Sequence, residues 1–179
     1  IIAVNSGVNS NIGSRLNKIK NKIKSKNFLL LNGDAIFDEN IKKIYSNHLR
    51  NNNAITILSS EFTYPYGTIG TINNKVVDFK RNLVFDAIKT RRNSAYLAYN
   101  YTGISIINTK IFLKNSKIFN SKDNFEQSFY PRIISNNKCS IVKINGFWHS
   151  VDNVKDLYVV NNPKTNEFKK TKKLKKFLI

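Results

Sequence analysis

The sequence predicts a Rossmann-like, doubly wound α/β domain built on a mixed sheet. Three observations carry this. FLLL at 28–31 is an unbroken apolar run of strand length, as a strand covered on both faces requires, and AITILSS at 54–60 reads as another buried strand. Segments of helical period alternate with them, which is the rhythm of a sheet wrapped by helices. Finally, FLLL ends on Asn32-Gly33-Asp34 and is followed by a helical pattern. A hairpin would need an alternating strand on each side, so this is a strand end and not a hairpin turn.

In chain order, IIAV (1–4) reads as a short strand, and NSGVNSNIGS as a polar, glycine-bearing loop. Ser14 is placed to cap a helix from Arg15 carried by Leu16, Ile19 and Ile23. After FLLL, Asp38-Glu39-Asn40 forms an acidic helix start, with Ile41, Ile44, Tyr45 and Leu49 on one face. GTIGTINNKVVDFKRN (67–82) alternates and turns at Asn73-Asn74, which predicts a hairpin. AYNYTGISIINTKIF (98–112) reads as a strand leading into a short helix. NFEQSFYPRIIS (124–135) reads as a helix broken or kinked at Pro131. CSIVKINGFWHSVD (139–152) is a strand running into a loop. The spacing of Val154, Leu157, Tyr158 and Asn161 predicts a helix over 153–162. Residues 1–162 thus form one domain, and 163–179 a basic C-terminal tail.

The chain has 179 residues, 41% of them hydrophobic, enough for one domain with its own core. No apolar run approaches the roughly 20 residues that span a bilayer, and no secretory leader pattern is visible. The single cysteine, Cys139, excludes an intrachain disulfide framework and fits a reducing compartment, hence a cytoplasmic protein. It lies in an alternating strand, as a small core residue would. The balance of 30 basic against 11 acidic residues gives a net charge of +19. The basic residues are scattered among asparagines, and only KKTKKLKK (169–176) clusters. This is read as compositional drift with anionic small-molecule substrates, not as a nucleic-acid or membrane-binding surface. The sequence contains no methionine and opens on an apolar run, so a partial or processed chain is expected.

Asp34 sits at the end of an apolar strand, where open α/β sheets gather their ligands, and Gly33 leaves room for a phosphate to approach the backbone. Mg²⁺ takes one or two carboxylates together with phosphate oxygens and water. A metal at Asp34 therefore predicts a second carboxylate, and Asp152 in GFWHSVD supplies it. Each aspartate also has a bland reading as a turn or cap residue, Asp152 as the cap of the helix beginning near Asn153. His149 neighbours Asp152, and nothing marks it as a general base. His48 reads as solvated, and Phe147 and Trp148 as core or pocket wall.

LLLNGDAIFDENI, TYPYGTI, NYTGISII, FEQ and NGFWHSVDNVKDL, in this order, resemble the sugar-1-phosphate nucleotidylyltransferase family over about residues 1–162. NSGVNSNIGSRLNKI is similar to the segment of glucose-1-phosphate cytidylyltransferases that reads roughly DTG-x-x-T-M-T-G-G-R-L-K-R. The resemblance implies transfer of a nucleotidyl group from a nucleoside triphosphate, CTP foremost, to a sugar 1-phosphate, glucose 1-phosphate foremost. The products are a nucleotide-sugar for polysaccharide biosynthesis and pyrophosphate. It implies Mg²⁺ on Asp34 and Asp152. It places Gly13 and Arg15 against the base and ribose, and Tyr66 and Gly67 under the sugar. Asn100 and Gly103 fall in the sugar pocket, and Glu126 on the sugar hydroxyls. A homo-oligomer is compatible with it.

Three departures accompany the resemblance. The family's glycine-rich G-G-x-G-T-R-L loop and the catalytic lysine after it have no counterpart, and the chain is expected to begin after them. The E-K-P motif is replaced by Lys80-Arg81-Asn82 after Phe79, with Lys80 or Arg81 supplying the charge from a shifted position. Ser14 stands where the base loop has its second glycine. Two other readings follow: an inactive fragment or binding module of the same fold, and, behind it, a basic nucleic-acid-binding protein. A sheet lacking its first strand is expected to leave an open edge and to aggregate more readily.

Overall fold

The computed structural model describes residues 2–64, 66–81, 83–85, 87–89, 95–119 and 124–161; the basic tail lies outside them. In chain order the elements are α1 (Ile12–Ile19), β1 (Asn27–Leu31), β2 (Ala35–Phe37), α2 (Ile41–Arg50), β3 (Ile55–Tyr64), β4 (Thr68–Ile72), β5 (Lys75–Lys80), β6 (Leu83–Phe85), β7 (Ala87–Lys89), β8 (Ala95–Leu97), β9 (Tyr99–Asn108), α3 (Thr109–Asn115), α4 (Phe125–Ile134), β10 (Cys139–Lys143), β11 (Trp148–Ser150) and α5 (Val154–Asn161).

The main sheet runs β1-β9-β3-β10, with β6 added to the far half of β3. β10 lies parallel to β3, whereas β9 is antiparallel to both β1 and β3. β1, β3 and β10 therefore point the same way, and one reversed strand lies among them. The sheet is mixed, as expected. Phe28, Leu29 and Leu30 are covered from the two faces while Leu31 is exposed, and the strand has no parallel neighbour: among the described residues it pairs with β9 alone, and its other edge carries no strand.

Helices cover the two faces. On one, α1, α3 and α4 bury Leu16, Phe112, Phe125, Phe129 and Ile133 against Ile55 and Ile107, with Phe28, Leu30 and Cys139 packed beside them. On the other, Ile44 of α2 packs with Leu58, Ile104, Ile106 and Ile144, joined by Leu29 and Trp148. The alternation Phe28/Leu30 against Leu29 is the two-faced burial that the unbroken run predicted. α4 runs through Pro131 without breaking. The proline forfeits a bond to the Gln127 carbonyl and costs about 3 kcal/mol. Phe125, Phe129, Tyr130 and Ile133 are all buried on the same helix, at about 1.5–3 kcal/mol each, and their sum wins.

Several expectations are corrected. Residues 2–4 form no strand, and Ile2 and Val4 are exposed. The cap of α1 is Asn11, whose Oδ1 accepts the Ser14 N–H at 2.8 Å, so Ser14 lies inside the first turn. α2 starts at Ile41 with Asn40 as its cap, leaving Asp38 and Glu39 in the preceding turn. His48 is not solvated: it is 2% exposed and occupies the inward position on which Leu49 was expected. Its Nε2–H donates to Asn27 Oδ1 at 3.1 Å, and its Nδ1 lies 2.9 Å from the Thr56 hydroxyl. Asn53 and Ser140 complete this buried polar group, which ties α2 to the amino ends of β1, β3 and β10. Burial holds the His48 pKa below its ordinary value. On α5, Leu157 and Tyr158 face outward and Val160 alone is buried. The hairpin at Asn73-Asn74 is present as β4–β5, with both turn residues at positive φ, as a type I′ turn needs.

Candidate active site

The carboxyl ends of β1 and β10 and the first half of β9 meet at one edge of the sheet. Two short strands that the sequence did not announce close this edge: β2 pairs antiparallel with β11, Ala35 opposite Ser150. Asp34 immediately precedes β2 and Asp152 closely follows β11, so both aspartates leave the same end of one ribbon. The Val151 N–H donates to the Asp34 carbonyl at 3.0 Å and locks the two connections together. Asp34 and Asp152 line one cavity of about 350 Å³, together with Asn32, Asn100, Gly103 and Glu126.

Asp152 does not cap α5. That task falls to Asn153, whose Oδ1 accepts the Lys155 and Asp156 N–H groups at 2.8 and 3.2 Å. Asp156 Oδ2 reaches back to the N–H groups of Asp152 and Asn153 at 2.9 and 3.0 Å, a reciprocal capping arrangement. Asp152 Oδ1 accepts the Ser150 hydroxyl at 3.1 Å. His149 faces Asp156 at 4.0 Å and stacks on Phe147; the cavity does not include it.

The floor is a bulge. Ile57 pairs with Ser105 but Ser59 with Tyr101, so Thr102-Gly103-Ile104 all lie across from Leu58. Gly103 has φ +76°, and a Cβ there would stand 2.8 Å from Asn32 Nδ2. Only glycine allows the Asn32 turn, whose N–H donates to the Gly103 carbonyl at 2.9 Å, to settle on β9. Trp148 Nε1–H donates to the Thr102 carbonyl at 3.0 Å and walls the cavity. The Tyr130 hydroxyl lies 2.7 Å from that of Tyr101 and 2.9 Å from that of Ser105, fixing α4 to β9 and so aiming Glu126 inward. Burial pushes both tyrosine pKa values up, so both stay protonated.

Three of the eleven acidic residues of a strongly basic chain, Asp34, Asp152 and Glu126, line this cavity, and among the described residues no lysine or arginine does. Anionic substrates are repelled there unless a cation intervenes. Among the described residues no group of three or more His, Cys, Asp or Glu forms a complete metal cage. Two exposed carboxylates with open coordination instead fit Mg²⁺, whose remaining ligands are phosphate oxygens and water.

Of the other residues singled out, Arg15 lines a smaller cavity of about 280 Å³ with Asn11, Asn124 and Glu126. Glu126 is common to both cavities. Gly13 is buried in the first turn of α1, against Phe119, and not in a loop. Gly33 has open space around it. Tyr66 and Gly67 lie just before β4, Gly67 against the Phe79 ring, and line neither cavity. Lys80 is not at the cavity either: it pairs with Asp78 at 3.0 Å on the β4–β5 hairpin, in solvent. Asn32, Thr102 and Ser150 are residues that sequence reasoning missed. Asn32 and Ser150 sit two residues from the two aspartates, but only the β2–β11 pairing shows that they face one space.

No protein-family profile matches the chain, and no curated protein does. Solved structures do. HddC from Yersinia pseudotuberculosis superposes with a TM-score of 0.54 at 16% identity over 83% of this chain, and its complex with GMP-PN does so with 0.54 at 17%. A Bacillus anthracis protein assigned as a glucose-1-phosphate thymidylyltransferase, in complex with a sucrose, gives 0.56 at 13% over 87%. The chain spans about 60% of the length of each. The fold is therefore that of the nucleotide-diphospho-sugar transferases, in a chain that covers part of it.

Proposed function

We propose that this domain belongs to an enzyme that transfers a nucleotidyl group from a nucleoside triphosphate to a sugar 1-phosphate. One observation carries the reading: Asp34, Asp152, Glu126, Asn100 and Gly103, chosen from the sequence, line a single cavity at the strand-end edge of this fold. In the reaction a phosphate oxygen of the sugar 1-phosphate attacks the α-phosphorus, the bond to the bridging oxygen of the β-phosphate breaks, and pyrophosphate leaves. Mg²⁺ held by Asp34 and Asp152 would offset the charge of the triphosphate. Arg15, in the cavity that Glu126 shares, is set to meet the nucleotide. The Glu126 carboxylate accepts hydrogen bonds from ligand hydroxyls. Asn100, whose Nδ2 donates to the Glu61 carbonyl at 3.0 Å, is held with a fixed amide plane. CTP and glucose 1-phosphate are the substrates favoured by the NSGVNSNIGSRLNKI segment.

The test is pyrophosphate release by the complete gene product with glucose 1-phosphate, Mg²⁺ and CTP, UTP, dTTP, GTP or ATP in turn. Release with one triphosphate, abolished in Asp34→Asn, supports the reading and names the base. A second reading is an inactive relic of the same fold. It is favoured by Lys80 pairing with Asp78 on an exposed hairpin. Failure of every triphosphate with glucose, galactose and mannose 1-phosphates would select it.

A further inference from the structure

Beside the carboxylate cavity lies a larger one of about 600 Å³. The two share Asn100 and Trp148 as a common wall. The new cavity adds Glu61 from β3 and Lys143 and Asn145 from the end of β10. Lys143 Nζ lies 2.9 Å from Glu61 Oε1 and 5.8 Å from the centre of the Tyr99 ring. No motif points to these residues. They meet because β10 runs parallel to β3 and ends with Lys143 opposite Ser59, two residues before Glu61.

The chemistry of the two compartments differs. The first holds three carboxylates and suits a cation with phosphates. Among the described residues the second balances one carboxylate with one ammonium, adds two amides and Ser60, and carries an indole as its wall. A net-neutral cavity gives no electrostatic gain to an anion. It matches a neutral polyhydroxyl ring: carboxylate and amide oxygens accept from hydroxyls, ammonium and amide N–H groups donate to them, and the aromatic face covers ring C–H groups. Its volume holds one hexose with room to spare. The Glu61–Lys143 pair is half in solvent, so it contributes little to the fold and is open to rearrangement around a ligand.

We infer that the Glu61–Lys143 compartment is the sugar subsite, with Glu61 and Lys143 as the residues that discriminate between sugar hydroxyl patterns. The inference rests on the nucleotidyl-transfer reading. It places the sugar across the Asn100–Trp148 wall from the aspartates, with its phosphate directed towards them.

Trp148 is the single tryptophan of the chain and borders both compartments, so its emission reports on each. The experiment titrates the complete gene product with glucose, galactose and mannose 1-phosphates, and separately with each Mg²⁺-nucleoside triphosphate. Parent protein is compared with Glu61→Gln, Lys143→Met and Lys143→Arg. At least one sugar phosphate is expected to shift the emission. Its half-saturation concentration should rise about tenfold in Glu61→Gln and Lys143→Met and recover in part in Lys143→Arg, as loss of a charged hydrogen bond predicts. The nucleotide midpoint should stay where it is. Sugar curves that superimpose on the parent, or nucleotide and sugar midpoints that move together, would overturn the subsite. Nucleotide binding with no response to any of the three sugars would overturn it too, while leaving the nucleotide reading intact. No response to nucleotide or sugar would overturn the parent reading and the subsite with it.

Discussion

The two ends of the sheet are both rich in polar side chains, and they use them in opposite ways. At the amino ends of β1, β3 and β10, Asn27, His48, Asn53, Thr56 and Ser140 are bonded to one another inside the protein. At the carboxyl ends, Asp34, Asp152 and Glu126 converge on an open cavity that no cationic side chain lines among the described residues. The first group engages nearly all of its polar atoms with its own neighbours, Asn53 Oδ1 excepted, so its work is architectural. The second keeps coordinating capacity that the protein does not use. Nearby structural tasks are delegated: Asn153 and Asp156 cap α5, Gly103 seats the Asn32 turn, and Trp148 ties down Thr102. Polar groups that a fold leaves open while assigning its own needs to others are the ones to suspect of binding.

That contrast can be broken at either end. The largest effect is expected at the open end: Asp34→Asn should lower nucleotidyl transfer by about 10²-fold or more while shifting the unfolding midpoint negligibly. A loss of stability equal to the loss of activity would return Asp34 to the architectural class. Gly103→Ala comes next, at about 2 kcal/mol from its positive φ together with the contact with Asn32, read by urea unfolding. A neutral result would mean that the bulge relaxes freely. At the buried end the effect depends on pH. The folded protein holds His48 neutral, below its ordinary pKa of 6.5. As pH falls through 6.5 the unfolded chain takes up a proton that the folded chain refuses. Stability is therefore full above that pH and declines below it, by at most about 1.4 kcal/mol per pH unit until the folded pKa is reached. Thermal scans between pH 8 and pH 5 should show this decline in the parent and a flatter line in His48→Gln. Smallest is Asn153→Ala, about 1 kcal/mol from the lost cap, with metal-dependent nucleotide binding unchanged. A large loss of binding there would mean that the cap and the ligand carboxylate are not separate.

The two-faced run FLLL, the β9–α3 connection and the Asn73-Asn74 hairpin were legible because each is governed by local pattern. The convergence of Asp34 with Asp152 was legible because both follow apolar strands. The strand direction was not: FLLL reads alike beside a parallel or an antiparallel neighbour, since burial on both faces is the same in either. Nor was the β2–β11 ribbon, whose three-residue strands are too short to show a period. His48 could have been found. It stands at i+7 from Ile41, on the inward stripe, and only its polarity argued for solvent. Lys80 was assigned by resemblance to a charge the site needs, yet its nearest opposite charge is two residues away, and the hairpin keeps it there. Glu61 and Lys143 meet from segments distant in sequence, and no single-sequence pattern joins them.

The parallel pairing of β3 with β10 has a consequence for how the chain comes to be folded. Thr56 and Ser140 touch across an interval of 84 residues, and β1 reaches β9 over a similar span. Contacts so far apart close late and slowly, because the loop entropy is spent before the strands reward it. During synthesis, within the described residues, β1 stays unpaired until β9 appears, and β10 and Asp152 come later still. The carboxylate-lined end is therefore the last part of the described residues to take shape, and a nascent chain halted before residue 152 would own most of a core and lack one wall of that cavity.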